Sequence, residues 1–249
     1  MVAYTVPAPP KATRPSRRRP PPRARYHHGN LRTALIAATE RLIEESGPES
    51  VTVREAARRA GVSSGAPFRH FPNRTALMTA VAEQAMTRLR TEVADALVAT
   101  ASADPLARFV AFGNAYFRWV IGNPTQFRVI SARNLIDFDG SESLTRDNGE
   151  VRAAMTEVLE EGRRAGVLRY PDVALAQLSA RAMVYGLARM YVDGHFAQWD
   201  VLGGGAEQAM RAVLGLFLDG LMAERPGAAT SGRRRRTPKG RGRQRRTAT

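Results

Sequence analysis

Three short patterns in this sequence contain residue types that could catalyse a reaction or bind a ligand. The first resembles the nucleophile motif of a hydrolase. Residues 61–65 read Gly-Val-Ser-Ser-Gly, which matches the G-x-S-x-G pattern around a nucleophilic serine. That chemistry needs a strand before the serine, whereas the residues before Gly61 have helical periodicity. Asp193 and His195 could be drawn as triad partners, but no strand pattern accompanies them. A small hydrolase is therefore the weakest of three functional hypotheses, and we assign no catalytic residue.

The second pattern is a pair of adjacent histidines, His27 and His28. Metal sites in proteins need three or four ligands, and no third ligand follows at a suitable spacing. The chain also has no cysteine. We therefore assign no metal ligand and no cofactor. Residues 26–29 are better suited to an arm near DNA, with Arg23 and Arg25 able to enter the minor groove.

The third pattern is the turn motif, residues 52–71, which reads as two short helices joined by a tight turn. Thr52 and Glu55 have the spacing of a capping box, which starts a helix. Gly61 lies where the turn needs a positive φ, and Ser63 can cap the second helix. In a helix-turn-helix, the second helix presents its N-terminal residues to base edges in the major groove. The motif therefore predicts binding to double-stranded DNA.

With YHHGNLR at residues 26–32 and FPNRTALM at residues 71–78, the turn motif resembles the DNA-binding domain of the TetR family of transcriptional regulators. The resemblance implies an all-helical homodimer that binds a pseudo-palindromic operator and responds to a small molecule held in its C-terminal domain. It implies phosphate contacts at Thr52, Ser63, His70 and Arg74. It implies contacts near the bases at Ser64, Gly65 and Arg69. Phe68 belongs to the same surface, although it stands where the family frequently has tyrosine and so lacks a hydroxyl for a phosphate.

The net charge of +15 is carried by the two ends of the chain. Residues 1–25 contain seven basic side chains and residues 225–249 contain ten, without an acidic one in either segment. Both segments are poor in large apolar residues, which predicts disordered tails. Such tails are either solvated without a role or attracted to phosphate in any sequence. The alternative function is therefore a nucleoid-type architectural protein that binds DNA mainly through its tails.

Elsewhere the sequence predicts a helical protein of the cytoplasm. The absence of cysteine fits a reducing compartment, and the N-terminus has no apolar region of a secretory signal. No apolar run is long enough to span a membrane, because Arg181 and Arg189 interrupt the best candidate. Apolar residues recur at helical spacing almost throughout, which predicts an all-α fold of about nine helices. We expect Asn30 to cap the first helix and residues 137–149 to form a loop.

This helical pattern divides into four segments. We assign residues 1–25 and 225–249 to the tails, residues 26–73 to a three-helix DNA-binding domain, and residues 74–224 to a larger ligand-binding and dimerisation domain. The resemblance implies that helices at residues 173–191 and 210–221 pair with those of a second copy, and Leu214 and Phe217 lie on the apolar face of the last helix.

Aromatic and methionine side chains in the larger domain suit a pocket for an apolar or amphipathic molecule. Most such residues in any protein are ordinary core, so the pocket is implied by the resemblance rather than by any one residue. The candidate lining residues are Phe112, Tyr116, Trp119, Phe127, Met155, Met183 and Tyr185. The candidate polar anchors are Asn114, Arg128, Arg133 and Arg181.

Overall fold

A computed structural model describes residues 28–199 and 205–222. Within these ranges it contains eight α-helices and no β-strand. The helices are α1 (His28–Ser46), α2 (Val53–Arg59), α3 (Arg74–Ala99), α4 (Pro105–Gly122), α5 (Pro124–Ser131), α6 (Glu142–Arg164), α7 (Val173–Val192) and α8 (Gly205–Leu221). The predicted all-α fold is confirmed. The two predicted basic tails, and the arm with His27, Arg23 and Arg25, lie outside the described residues.

Local capping signals set most helix ends. Asn73 Oδ1 accepts a hydrogen bond from the backbone N–H of Ala76 at 2.8 Å and begins α3. Asp104 caps α4 in the same way, with Pro105 at the first helical position. Gly47 ends α1 with a φ of 80°. Such short-range contacts are readable from sequence, because each involves residues only three or four positions apart.

Two predicted boundaries are wrong. The predicted loop over residues 137–149 ends at Ser141, whose hydroxyl accepts from Leu144 N and starts α6. Asn30 does not begin the first helix, since α1 begins two residues earlier at His28.

The long helix α3 joins the turn motif to the rest of the protein. It packs against α1 on the N-terminal side and against α4, α5 and α6 on the other. Its buried face includes Leu77, Val81 and Leu89, with alanines between them that let neighbouring helices approach closely. One continuous hydrophobic cluster extends from Leu35 in α1 to Leu221 in α8. Because α3 packs against both parts of the fold, a shift of α3 would change contacts in both.

The loop of residues 136–141 gives α3 a second, polar attachment. The backbone N–H of Asp137 donates to Thr79 Oγ1 at 2.9 Å, and Ser141 Oγ donates to Glu83 Oε1 at 2.8 Å. The other carboxylate oxygen of Glu83 lies 3.4 Å from the guanidinium of Arg32 on α1. A chain of polar contacts thus runs from this loop through α3 to α1.

Helices α7 and α8 run antiparallel at the other end of the molecule. The backbone N–H of Arg169, just before α7, donates to the carbonyl of Leu221 at the end of α8 at 2.9 Å. Leu214 is buried within the chain, where a Cβ on Gly113 of α4 would lie 2.8 Å from its Cδ2. Leu214 therefore belongs to the core of one chain, and the outward face of α8 carries Leu216 instead. No helix in the described ranges is long and apolar enough to cross a membrane.

Candidate nucleic-acid interface and effector cavity

The first helix of the turn motif starts with half of the predicted capping box. Thr52 Oγ1 accepts from the backbone N–H of Glu55 at 3.1 Å. The carboxylate of Glu55 instead accepts from Arg58 Nε at 2.8 Å and pairs with Arg59 at 3.3 Å. The hydrogen bond from Arg58 lowers the pKa of Glu55. The exposed hydroxyl of Thr52 keeps its proton available for a phosphate oxygen.

The second helix of the turn motif is a single 3-10 turn, Ala66–Arg69, which we call the recognition turn. Gly61 has the expected positive φ of 70°. Ser63 does not cap the recognition turn with its side chain, because its backbone carbonyl accepts the N–H of Ala66 and the cap position falls at Gly65. Pro67 is buried and anchors the turn, since its ring fixes φ and its missing N–H is not needed in a first turn.

Most predicted DNA contacts lie together on the exposed side of this motif. Thr52, Ser63, Ser64, Gly65, Phe68 and Arg69 are all exposed. Within the described part of the chain, Arg69 has no ion-pair partner. Its guanidinium therefore keeps all its donors for an anion or a base edge.

His70 and Arg74 are placed differently, because both are half-buried. Arg74 Nε donates to the carbonyl of Val51 at 2.9 Å, and Arg74 Nη2 donates to that of Pro48 at 2.8 Å. These bonds tie the start of α3 to the segment that precedes α2. The predicted phosphate contact of Arg74 would have to use its remaining N–H groups, because Nε and one N–H of Nη2 bind these carbonyls.

One exposed cation of the motif was missed from sequence. Arg54 lies in the first turn of α2, beside Thr52, and among the described residues it has no ion-pair partner. The available signal was its position between the buried residues Val53 and Ala56, which directs its side chain outward. Arg54 therefore places an exposed cation next to the predicted contact residue Thr52.

A cavity of about 460 Å³ lies between α4, α6 and α7, and a second of about 330 Å³ adjoins it toward α3 and α5. The first is lined by Phe112, Tyr116 and Met155 among the predicted residues, and the second by Tyr116, Phe127 and Tyr185. The volumes fall in the range of small-molecule sites. We call these two adjoining spaces the effector cavity. Trp119 and Met183 lie outside its walls, with Trp119 buried in the core.

The charged side chains that line the effector cavity are all arginines. Arg133 and Arg181, two of the predicted anchors, line both spaces, and Arg152 lines the first. The guanidinium of Arg181 lies 5.8 Å from the ring of Tyr116 and 5.6 Å from that of Tyr185. Burial raises the pKa of Tyr116, and the charge of Arg181 partly offsets this. The predicted anchors Asn114 and Arg128 are outside the walls, and Arg128 donates to the carbonyl of Val192 at 2.9 Å.

Two family models match this chain, one after the other. Residues 35–81 match the family described as bacterial regulatory proteins, tetR family. Residues 109–216 match the tetracyclin repressor-like C-terminal domain. A curated relative, the HTH-type transcriptional regulator BetI of Cronobacter sakazakii (strain ATCC BAA-894), is 29% identical over 163 residues, which cover 66% of this chain and 76% of BetI.

Solved structures agree with the fold. A protein of unknown function from Rhodococcus sp. RHA1 is 26% identical, with a TM-score of 0.67 over 81% of this chain and 100% of that one. A regulatory protein of the tetR family from Rhodococcus RHA1 has a TM-score of 0.63 at 17% identity, over 78% of this chain and 98% of that one. An exposed helix-turn-helix, a cavity in the helices behind it and these matches lead to one conclusion. The chain belongs to the TetR family of ligand-responsive, DNA-binding transcriptional regulators.

Proposed function

We propose that this regulator is a homodimeric repressor that leaves its pseudo-palindromic operator when a small molecule fills the effector cavity. The observation that carries the proposal is the connection of two sites by one helix. The start of α3 directly follows the turn motif and is fixed by Arg74 to the segment that precedes α2, while Met86 and Leu89 of α3 line the cavity. In this division, residues 26–73 bind DNA and residues 74–224 bind the effector and the second copy.

The outward surface of α7 and α8 supports the homodimer. Leu175 and Leu178 on α7 and Leu216 on α8 are more than half exposed, although each is large and apolar, and Leu178 also lines the effector cavity. Exposed leucines on neighbouring helices mark a surface that gains free energy when covered. A symmetric dimer covers the same patch on both copies. A second copy packed on this face would give a dimer with two turn motifs.

The mechanism is a shift between two arrangements of the dimer. Binding to both operator half-sites needs the recognition turns about one helical turn of DNA apart, roughly 34 Å. An effector that binds better to a different spacing draws the population away from the DNA-binding arrangement. An effector with equal affinity for both arrangements would leave the operator occupied.

The direct test is selection of DNA fragments by the purified full chain from a random pool, followed by sequencing. The proposal expects an enriched motif with two inverted half-sites. Enrichment without any motif would contradict it and favour the architectural alternative.

Loss of the Arg69 side chain is expected to weaken operator binding selectively. Arg69→Ala should cost about 1–3 kcal/mol on the selected operator, because a guanidinium that contacts a base loses a bidentate pair. Binding to random duplex should change less, and Arg164→Ala, an exposed change on α6, serves as the control. Equal losses on both duplexes in a fluorescence anisotropy titration would mean that Arg69 contacts phosphate alone.

The architectural alternative rests on the seventeen basic residues in the first and last 25 positions. Each phosphate that they neutralise should steepen the decline of log affinity with log salt by about 0.9. Deletion of residues 1–22 and 226–249 is expected to flatten this slope and lower random-DNA affinity, while the ratio of operator to random binding rises. If the truncated chain loses its operator preference in salt titrations, the tails take part in recognition.

A further inference from the structure

We propose that the effector is an amphipathic anion, whose carboxylate or phosphate group lies between Arg133 and Arg181 while its apolar body fills the effector cavity. This inference rests on the proposed function, because it names the chemical class of ligand for the same cavity.

The charge of the cavity wall is the first argument. Three arginines, Arg133, Arg152 and Arg181, line the larger space at its solvent-exposed side, and no aspartate or glutamate lines it. None of the three has an ion-pair partner within the described ranges. Most other arginines of the larger domain do, including Arg118 with Glu92 and Arg189 with Asp193. The cavity therefore concentrates positive charge that the chain itself leaves without a counterion.

The arrangement of the two guanidiniums is the second argument. Arg133 lies over the ring of Phe138, with its central carbon 3.1 Å from the ring centroid, and Arg181 lies near the rings of Tyr116 and Tyr185. A guanidinium stacked on a ring keeps the N–H donors on its edge free, and that edge matches a carboxylate or phosphate. Desolvation is the main cause that lowers the pKa of Arg133, and Asp139, from beyond ion-pair distance, opposes it more strongly than repulsion from Arg181 adds to it. A bound anion would favour the charged form of Arg133 further.

The remaining walls determine the other half of the ligand. Phe112, Val151, Met155 and Val184 form the apolar side of the larger space. Each of these four side chains is buried, so the surface they offer is a continuation of the core. Burial of an apolar body against this surface removes apolar area from water and so favours binding. The cavity thus combines an apolar wall with a cationic end, which is the complement of an amphipathic anion.

The experiment compares charged and uncharged ligands that share the same body. Isothermal titration calorimetry on the full chain uses dodecanoate, dodecyl phosphate and dodecanol, and also 2-naphthoate with 2-naphthalenemethanol, all below their aggregation limits. The expected result is that at least one anion binds about tenfold or more tightly than its uncharged counterpart. If neither series shows such a preference for the anion, the proposal is wrong. The same holds if the preference is absent because acidic groups of a second copy neutralise the arginines.

Substitutions then locate the preference. Arg133→Gln and Arg181→Gln should each weaken the preferred anion by about tenfold or more and leave its uncharged counterpart unchanged. Arg181→Lys should recover part of the loss, because it restores charge without the bidentate edge. Arg164→Gln removes an equal charge from the exposed surface of α6 and should have no effect. If Arg164→Gln weakens anion binding equally, the loss comes from the lower net charge of the protein. The anion would then not lie between Arg133 and Arg181.

Operator binding separates this inference from the proposed function. For the Arg133→Gln and Arg181→Gln variants, the concentration of the preferred anion that releases half of the bound operator should rise about tenfold or more relative to the parent, with each variant measured against its own operator affinity. If the parent selects no operator, the proposed function fails whatever the calorimetry shows. If the parent binds the operator and shows no preference for anions, only the ligand class is wrong.

Discussion

A chain that carries both Leu175→Glu and Leu216→Glu is expected to be monomeric and to lose operator binding. The two leucines are 57% and 72% exposed in the single chain, so their replacement leaves the fold of one copy intact. In a dimer formed through α7 and α8, each copy would bury two unpaired carboxylates, at several kcal/mol for each. Each 1.4 kcal/mol raises the dissociation constant of the dimer about tenfold, so the total cost exceeds the association free energy of an ordinary interface.

Multi-angle light scattering measures this directly, with a fall from the mass of two chains to that of one, 27.2 kDa. Helical circular dichroism should be unchanged. Val98→Glu is the matched control, since Val98 is 75% exposed on α3, away from α7 and α8, and it should stay dimeric. A double variant that keeps its dimer at micromolar concentration would place the interface on another surface.

Asp147→Ala is expected to destabilise the protein by about 2–3 kcal/mol, the loss that follows removal of hydrogen bonds to a charged group. Asp147 joins α6 to α3: its side chain is 1% exposed and accepts from Thr87 Oγ1 at 2.7 Å and Arg146 Nη2 at 2.9 Å. The arginines around it are partly exposed and can return to water, which keeps the loss below that of a fully buried pair. The melting temperature should fall by roughly 5–10 °C at equal protein concentration.

The effect of Asp147→Ala should also depend on pH. Burial acts to raise the pKa of Asp147, but the hydrogen bonds from Thr87 and Arg146 outweigh it, so the pKa lies below its ordinary value. A carboxyl whose pKa is lower in the folded than in the unfolded state stabilises the fold fully at pH values above its unfolded-state pKa of about 3.9. This contribution is lost as the pH falls through the folded-state pKa. The difference between parent and variant should therefore persist at neutral pH and shrink in acid.

Glu150→Gln is the matched control for this position. Glu150 lies one turn further along α6 and pairs with Arg90 at 2.8 Å, but its side chain is 49% exposed. Exposed pairs contribute about 0–1 kcal/mol, so the melting temperature should hardly change. Similar losses for both variants would show that burial of Asp147 is not the source of its effect.

Short-range patterns in the sequence predicted the turn motif well because its contacts are local. Thr52 caps α2 and Gly61 has a positive φ, as their types and spacing indicated. The 3-10 form of the recognition turn was not predictable in this way. Neither was the attachment of Arg74 to carbonyls 23 and 26 positions earlier, because it depends on where α3 meets the segment before α2.

The residues that line the effector cavity could likewise be predicted only in part from the sequence. Aromatic spacing on α4 indicated that Phe112 and Tyr116 share a face, and both line the cavity. Trp119 lies one turn beyond Tyr116 and is buried in the core instead, because the crossing of helices decides which part of a face meets a void. Arg152 was not anticipated, since its place at the cavity depends on how α6 crosses α7.

The polar contacts from residues 136–141 through Thr79 and Glu83 to Arg32 connect the wall of the effector cavity with α1. Arg133 is at the cavity end of these contacts, stacked on Phe138 of the same loop. Coupling between two binding sites is a single free energy, so a factor by which effector weakens operator is the factor by which operator weakens effector. A repressor on its operator is therefore a poorer sensor than a free one. The cell's supply of operator sites thereby helps to set the effector concentration at which the gene responds.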